Sequence, residues 1–114
     1  MKQSRRMLQV ATIIREKLTW LFKKKFADHA FHAVTITHVR LSVDLKHSYI
    51  FFTLLEDNEE NITLALTTLK NFQKQIRYTL AKNTSLRHTP QLHFAYDRSA
   101  QQADTITNLI EQLT

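Results

Sequence analysis

Apolar residues in the first part of the chain recur at intervals of three and four, the spacing that places side chains on one face of an α-helix. This pattern predicts an amphipathic first helix from Arg5 to Lys25. Its apolar positions are Met7, Val10, Ala11, Ile14, Leu18, Leu21 and Phe22. Cations are stabilised at the negative end of a helix dipole, so Lys23, Lys24 and Lys25 suit the end of this helix.

Two segments with the character of β-strands follow. From Val34 to Val43, apolar and polar residues alternate and β-branched residues are frequent, which predicts a strand with one buried face. The alternation slips near His38, which predicts a bend or a β-bulge at that point. A turn over Asp44 to His47 leads into a second predicted strand, Ser48 to Leu55. That strand is apolar at both alternating positions, so the pattern leaves its buried face open.

A second helix is predicted after the acid-rich segment 56–61, which suits a helix N-terminus. Its apolar positions continue at helical spacing from Ile62 to Leu80, and the helix is expected to fade between Lys82 and Ser85. The pattern therefore predicts one long helix.

The last two predicted elements are a third strand from Gln91 to Asp97 and a short closing helix from Ala100 to Leu113 within the C-terminal segment 98–114. A chain of 114 residues has the usual size of one domain. Helices on one face of a small sheet would bury the apolar stripes of both long helices. The sequence thus predicts a single α+β domain over residues 1–114.

The charge of the chain favours a polyanionic partner. The sequence holds 16 Lys and Arg against 10 Asp and Glu, for a formal net charge of +6. Four of the acidic residues lie close together: Glu56, Asp57, Glu59 and Glu60. The remaining surface should therefore be electropositive, which favours nucleic acid through the release of counterions. The alternative is that the protein is basic for solubility alone.

The absence of cysteine excludes disulfides, thiol nucleophiles and zinc ribbons, and makes the cytoplasm the expected compartment. The basic N-terminus is followed by apolar residues that Gln9, Thr12 and Arg15 interrupt, so neither a signal peptide nor a membrane span is predicted.

Three segments resemble the ribosome-binding factor A family of bacterial small-subunit assembly factors. They are Val34 to Leu45, Ile76-Arg77 with Leu80, and Leu86 to Phe94 leading to Tyr96-Asp97. The resemblance implies a type II KH-like fold, ordered α-β-β-α-α-β, with helices packed on one face of a three-stranded sheet. It also implies binding of 16S rRNA on the 30S subunit during late maturation, most important in the cold. We expect no catalysis, no cofactor, no small-molecule substrate, no membrane partner and a monomeric free state.

One departure from the family concerns glycine. KH domains grip single strands with a GxxG loop, and the resemblance implies an Ala-x-Gly kink in its place. Here the corresponding residues are Phe72-Gln73-Lys74, and the chain contains no glycine. Without glycine the backbone cannot approach phosphates in the usual KH manner. Both a kinked and a straighter second helix are compatible with this sequence.

RNA contact is therefore expected from basic side chains. Lys70, Lys74 and Arg77 fall on one stripe of the predicted helix, and the alternative is a merely solvated helix face. The full predicted set is Arg5, Arg6, Lys23, Lys24, Lys25, Lys70, Lys74, Arg77, Lys82 and Arg87. The three consecutive lysines have the alternative role of matching the helix dipole, and Arg87 that of a structural hydrogen-bond donor.

Other candidate sites carry less weight. Tyr49 and Phe51 suit base stacking, although core or subunit packing is the commoner use, and a protein-interaction or dimerisation module is the alternative function. His29 and His32 have only Asp28 nearby, so no metal site is expected. The pairs Ser42 with Asp44 and Ser85 with His88 lack a glycine-shaped nucleophile elbow, so the chain is not expected to be an enzyme.

Overall fold

The computed structural model of the protein describes residues 3–26 and 30–99. These residues form an α+β fold in the order α-β-β-α-α-β, the KH-like order that the family resemblance implies. The elements are α1 (Arg5–Lys24), a 3-10 turn (Ala30–Ala33), β1 (Val34–Leu41), β2 (His47–Leu54), α2 (Glu59–Asn71), α3 (Gln73–Lys82) and β3 (Gln91–Tyr96). The predicted closing helix from Ala100 to Leu113 lies outside the described residues.

Helix α1 begins at the N-cap Ser4, whose hydroxyl accepts the backbone N–H of Met7. All seven predicted apolar positions of this helix are buried, with Ile14 and Leu18 fully excluded from solvent. The helix ends at Lys24, one residue earlier than predicted. Among the described residues, no helix combines the length and apolar content that a membrane crossing requires.

The sheet has the order β1-β2-β3, with β1 antiparallel to β2 and β2 parallel to β3. The predicted bulge is confirmed, because the pairing register shifts between Ile36 and His38 and leaves Thr37 as an extra residue. Side-chain burial settles the open question of β2: Ile50 and Phe52 lie in the core, and Tyr49 is exposed.

The turn between β1 and β2 begins earlier than predicted. Val43, expected in the first strand, is 66% exposed within this turn. Asp44 stabilises this turn, because its Oδ1 accepts hydrogen bonds from the Ser42 hydroxyl and from the backbone N–H of Lys46. Leu45 then takes a left-handed conformation with φ 61°, which costs about 1 kcal/mol for a residue with a Cβ. Its side chain packs partly buried against the core.

The prediction of one long second helix is wrong, because the helix breaks at Phe72 (φ −98°, ψ 6°). The Phe72 ring packs edge-on against Phe31 of the core, with centroids 5.6 Å apart. Periodicity did not detect the break, since Leu69 and Ile76 are seven residues apart and both stay buried. The break falls where the family resemblance implies a kink.

Asp97 fastens the end of β3 to the bulge of β1. Its Oδ2 accepts the Thr37 hydroxyl at 2.5 Å, and its Oδ1 accepts the Ser99 hydroxyl at 2.6 Å and the Ser99 N–H at 2.9 Å. The bond from the Ser99 hydroxyl, followed by that from Thr37, lowers the pKa of Asp97 below its ordinary value of 3.8. The ionised carboxylate therefore contributes to stability.

We expect Asp97→Ala to lower the free energy of unfolding by about 1 kcal/mol at about pH 6, since a charge-assisted acceptor of several hydrogen bonds is lost. Because the folded pKa is depressed, this contribution is full above the unfolded pKa and disappears as the pH falls through the folded pKa. Urea denaturation should thus show the difference from wild type shrinking at about pH 2.5.

Thr37→Val provides the partner for a double-mutant cycle. The two substitutions should be less than additive at the higher pH. A deficit of Asp97→Ala that stays constant across the pH range would contradict the proposed role.

Candidate nucleic-acid interface

Two adjoining open cavities, of about 610 and 1220 Å³, form one cleft beside α3. Both are lined by Arg77 and by residues 86–89 and Gln91. The basic cleft, as we name it, carries the cationic side chains of Arg6, Lys46, Lys70, Lys74, Arg77 and Arg87. These come from α1, the β1–β2 turn, α2, α3 and the α3–β3 connection, so the fold assembles cations that are distant in sequence.

Arg77 is the anchored member of the basic cleft. Its Nη2 donates to the carbonyl of Thr89 at 2.8 Å, and its Nε donates to the carbonyl of Pro90 at 3.1 Å. These bonds hold the α3–β3 connection against α3. The structural role considered for Arg87 therefore belongs to Arg77, while Arg87 is exposed.

The other cations of the cleft are exposed to solvent: Arg6, Lys46, Lys70, Lys74 and Arg87. Flexible ammonium groups and planar guanidinium groups along an open cleft are the side chains that contact phosphate oxygens. The break at Phe72 separates Lys70 and Lys74 onto two helices, yet both line the larger cavity.

A carboxylate, Asp44, also lines the cleft. Hydrogen bonds from the Ser42 hydroxyl and, secondly, from the backbone N–H of Lys46 lower the pKa of Asp44 below 3.8. The Ser42 oxygen in turn accepts the N–H of His47. The pair Ser42 and Asp44, considered as possible catalytic groups, thus builds the turn that presents Lys46.

The remaining predicted contacts lie elsewhere. Arg5 lines a neighbouring cavity of about 500 Å³ beside Arg6. The exposed Lys23, Lys24 and Lys25 lie at the other end of α1, whose 20 residues span about 30 Å. Lys82 lies over the ring of Tyr78, 4.6 Å from its centroid.

Sequence reasoning missed Lys46 and its neighbour His47. Both lie near the α3–β3 connection because β2 pairs with β3, with the N–H of Gln91 donating to the carbonyl of Lys46 at 2.8 Å. Periodicity carries no signal for such a contact between distant residues. Of the candidate metal ligands, Asp28, His29 and the side chain of His32 lie outside the described residues.

Comparison with known proteins identifies the family of this chain. The family model described as ribosome-binding factor A matches residues 6–110. Ribosome-binding factor A of Coxiella burnetii is 37% identical over 110 residues, covering 96% of this chain and 90% of the relative. The Xanthomonas oryzae protein of that name is 34% identical over 105 residues, covering 92% of this chain and 79% of the relative.

Solved structures share the fold. The crystal structure of ribosome-binding factor A from Thermus thermophilus aligns with a TM-score of 0.68 at 22% identity, covering 82% of this chain and 98% of that one. A homology model of the Thermus thermophilus factor, fitted into a cryo-EM map of its complex with the 30S subunit, aligns with a TM-score of 0.58 at 21% identity. It covers 87% of this chain and 98% of that one.

We expect Arg77→Ala to lower the free energy of unfolding by about 2 kcal/mol, because two carbonyl groups lose a charged donor. Arg77→Lys should recover only part of this, since an ammonium group cannot reproduce the guanidinium fork. Lys74→Ala, one turn away and exposed, is the matched control and should change stability by less than about 0.5 kcal/mol. Urea denaturation followed by circular dichroism measures all three, and equal stability of the two alanine variants would refute the anchoring role.

Proposed function

Because this chain belongs to the ribosome-binding factor A family, we propose that it binds 16S rRNA on the small (30S) ribosomal subunit through the basic cleft and acts in late maturation of that subunit. The observation that carries the proposal is the convergence of Arg6, Lys46, Lys70, Lys74, Arg77 and Arg87 on one open cleft. The small subunit as partner is supported by the Thermus thermophilus relative, whose homology model was fitted into the map of a 30S complex.

Side chains replace the glycine loop of other KH domains in this proposal. The chain has no glycine, so a GxxG backbone cradle is unavailable. Lysines and arginines neutralise phosphates at longer reach and release condensed counterions, which makes binding strongly dependent on salt. Phosphate contacts of this kind fix position and carry little sequence information. Specificity would then come from the shape of a folded rRNA site.

Anchoring by Arg77 gives the cleft part of its rigidity. The hydrogen bonds from Arg77 to Thr89 and Pro90 fix the backbone that carries Arg87 and His88. A preformed connection loses less entropy on binding than a loop that orders at that moment. The protein would thus act by occupancy, holding one rRNA conformation until maturation displaces it. We propose a cytoplasmic, monomeric protein that needs no cofactor and performs no catalysis, with its greatest importance in the cold.

The test is co-sedimentation with purified small and large subunits across a salt series. Reversing Lys70, Lys74 and Arg87 to glutamate should lower affinity for small subunits by at least about 10-fold near 0.1 M salt. The slope of log affinity against log salt should fall in magnitude by about 2 to 3, because about three phosphate contacts are lost. Arg77 is left intact so that the fold is preserved.

A charge-matched control reverses Lys23, Lys24 and Lys25, which lie at the far end of α1. We propose these lysines as peripheral contacts, and their reversal should weaken binding less. An equal loss from both variants would show that affinity follows net charge, which would contradict the basic cleft as the site. Equal wild-type affinity for large subunits would contradict the small subunit as the specific partner.

A further inference from the structure

The face of the sheet opposite the buried Ile50 and Phe52 carries a row of rings. The Tyr49 and His93 rings are stacked, with centroids 5.2 Å apart and planes at 23°. His93 in turn lies 5.1 Å from the ring of His47 at 31°. Tyr49, at one end of this row, is 44% exposed. The outer row, as we name these three rings, thus presents an accessible aromatic ring at its end.

The outer row is held in place by the strands and by a hydrogen bond. Tyr49 and His93 are register partners in the parallel pairing of β2 and β3. The Nδ1 of His47 and the Nε2 of His93 are 2.9 Å apart, a hydrogen bond in which one nitrogen donates and the other accepts. Fixed rings of this kind lose little entropy when a further ring stacks on them.

A guanidinium group and an imidazole ring border the outer row. Arg40 of β1 is the register partner of Tyr49 and is exposed, and the exposed His38 lies next to it along the same edge. Asp97 lies farther along this face, where its carboxylate is bonded to Thr37 and Ser99. A planar ring beside a guanidinium group matches a nucleotide, whose base stacks and whose phosphate is anionic.

His47 makes the outer row continuous with the basic cleft. It lines the smaller cavity of the cleft together with Arg87, and it also contacts His93 of the row. An RNA strand that leaves the cleft past His47 would therefore reach Tyr49 along the outer row.

We propose that the outer row is a second RNA site, which stacks an unpaired base of a single-stranded segment on Tyr49 while the neighbouring phosphates lie in the basic cleft. This inference rests on the proposed function and adds single-stranded RNA as the class of ligand. A stacking ring accepts any base. The site would therefore distinguish unpaired from paired bases and would not recognise a particular sequence.

The experiment measures binding of a fluorescently labelled oligouridylate by anisotropy. Tyr49→Ala should weaken binding about 10-fold, and Tyr49→Phe, which keeps the ring, should stay within about 2-fold of wild type. Trp20→Ala removes an exposed aromatic ring of α1 and is the matched control, expected to bind as wild type does. Each variant is first checked for an unchanged unfolding midpoint.

An oligomer of the same length and charge but with abasic sites separates stacking from structural effects. Wild type should bind it about as weakly as Tyr49→Ala binds the normal oligomer, and Tyr49→Ala should cause no further loss. Equal binding of both oligomers by wild type would overturn the proposal. So would a Tyr49→Ala defect confined to self-association in sedimentation velocity, which would make this face a contact between copies of the chain.

The outcome is distinguishable from failure of the proposed function. Reversal of Lys70, Lys74 and Arg87 addresses binding to small subunits, whereas the abasic comparison addresses stacking alone. If the basic cleft binds small subunits as proposed but Tyr49 is indifferent to the base, only the second site is refuted.

Discussion

A chain without glycine must make every turn, helix break and ligand approach with residues that carry a Cβ. Two places in this fold show the effect. Leu45 takes a left-handed conformation in the β1–β2 turn, where glycine would be unstrained, and its partly buried side chain offsets the cost. Phe72 divides α2 from α3 with a bulky ring inserted against Phe31. In both cases the packing of a side chain compensates for the backbone freedom that glycine would provide.

The same constraint shapes the interface that we propose. Backbone amides in a glycine loop approach phosphates closely and in a fixed direction, whereas lysine side chains reach farther and lose more conformational entropy when they are immobilised. The fold compensates by fixing the backbone segments that carry these side chains. Arg77 holds the α3–β3 connection through two carbonyl groups, and Asp44 closes the turn that presents Lys46. The framework is rigid although the contacting groups are flexible.

Much of the fold was predictable because helices and strands leave periodic signals. The buried stripe of α1 agrees with prediction at every position, and the slip near His38 correctly located the bulge. The break at Phe72 left no signal, since the apolar spacing continues through it. The buried face of β2 could not be assigned, because both alternating sets of residues are apolar and only the packing of the core against one face of the sheet distinguishes them.

In the basic cleft, the residues that could be grouped by prediction were those close together in the sequence. Lys70, Lys74 and Arg77 are near one another in sequence, and a helical projection is enough to group them. Lys46 joins them only because β2 and β3 pair in parallel, a contact between residues far apart in the chain that no local pattern encodes. The different roles of Arg77 and Arg87 could not be predicted either. Both side chains carry the same donors, and only the positions of the surrounding carbonyl groups show which of them is anchored.

The basic cleft and the outer row occupy different parts of the fold and meet at His47. One face of the sheet packs against the helices and forms the core. The residues of β2 and β3 on the other face can therefore be polar, charged or aromatic without loss of core packing. Tyr49, His93 and His47 occupy these positions, while the cations of the cleft lie on helices and connections at the edge. The interface that we propose would combine a salt-dependent part with a part that depends on ring contact. The exposed residues of each part, unlike the anchored Arg77, can change by substitution without disturbing the core.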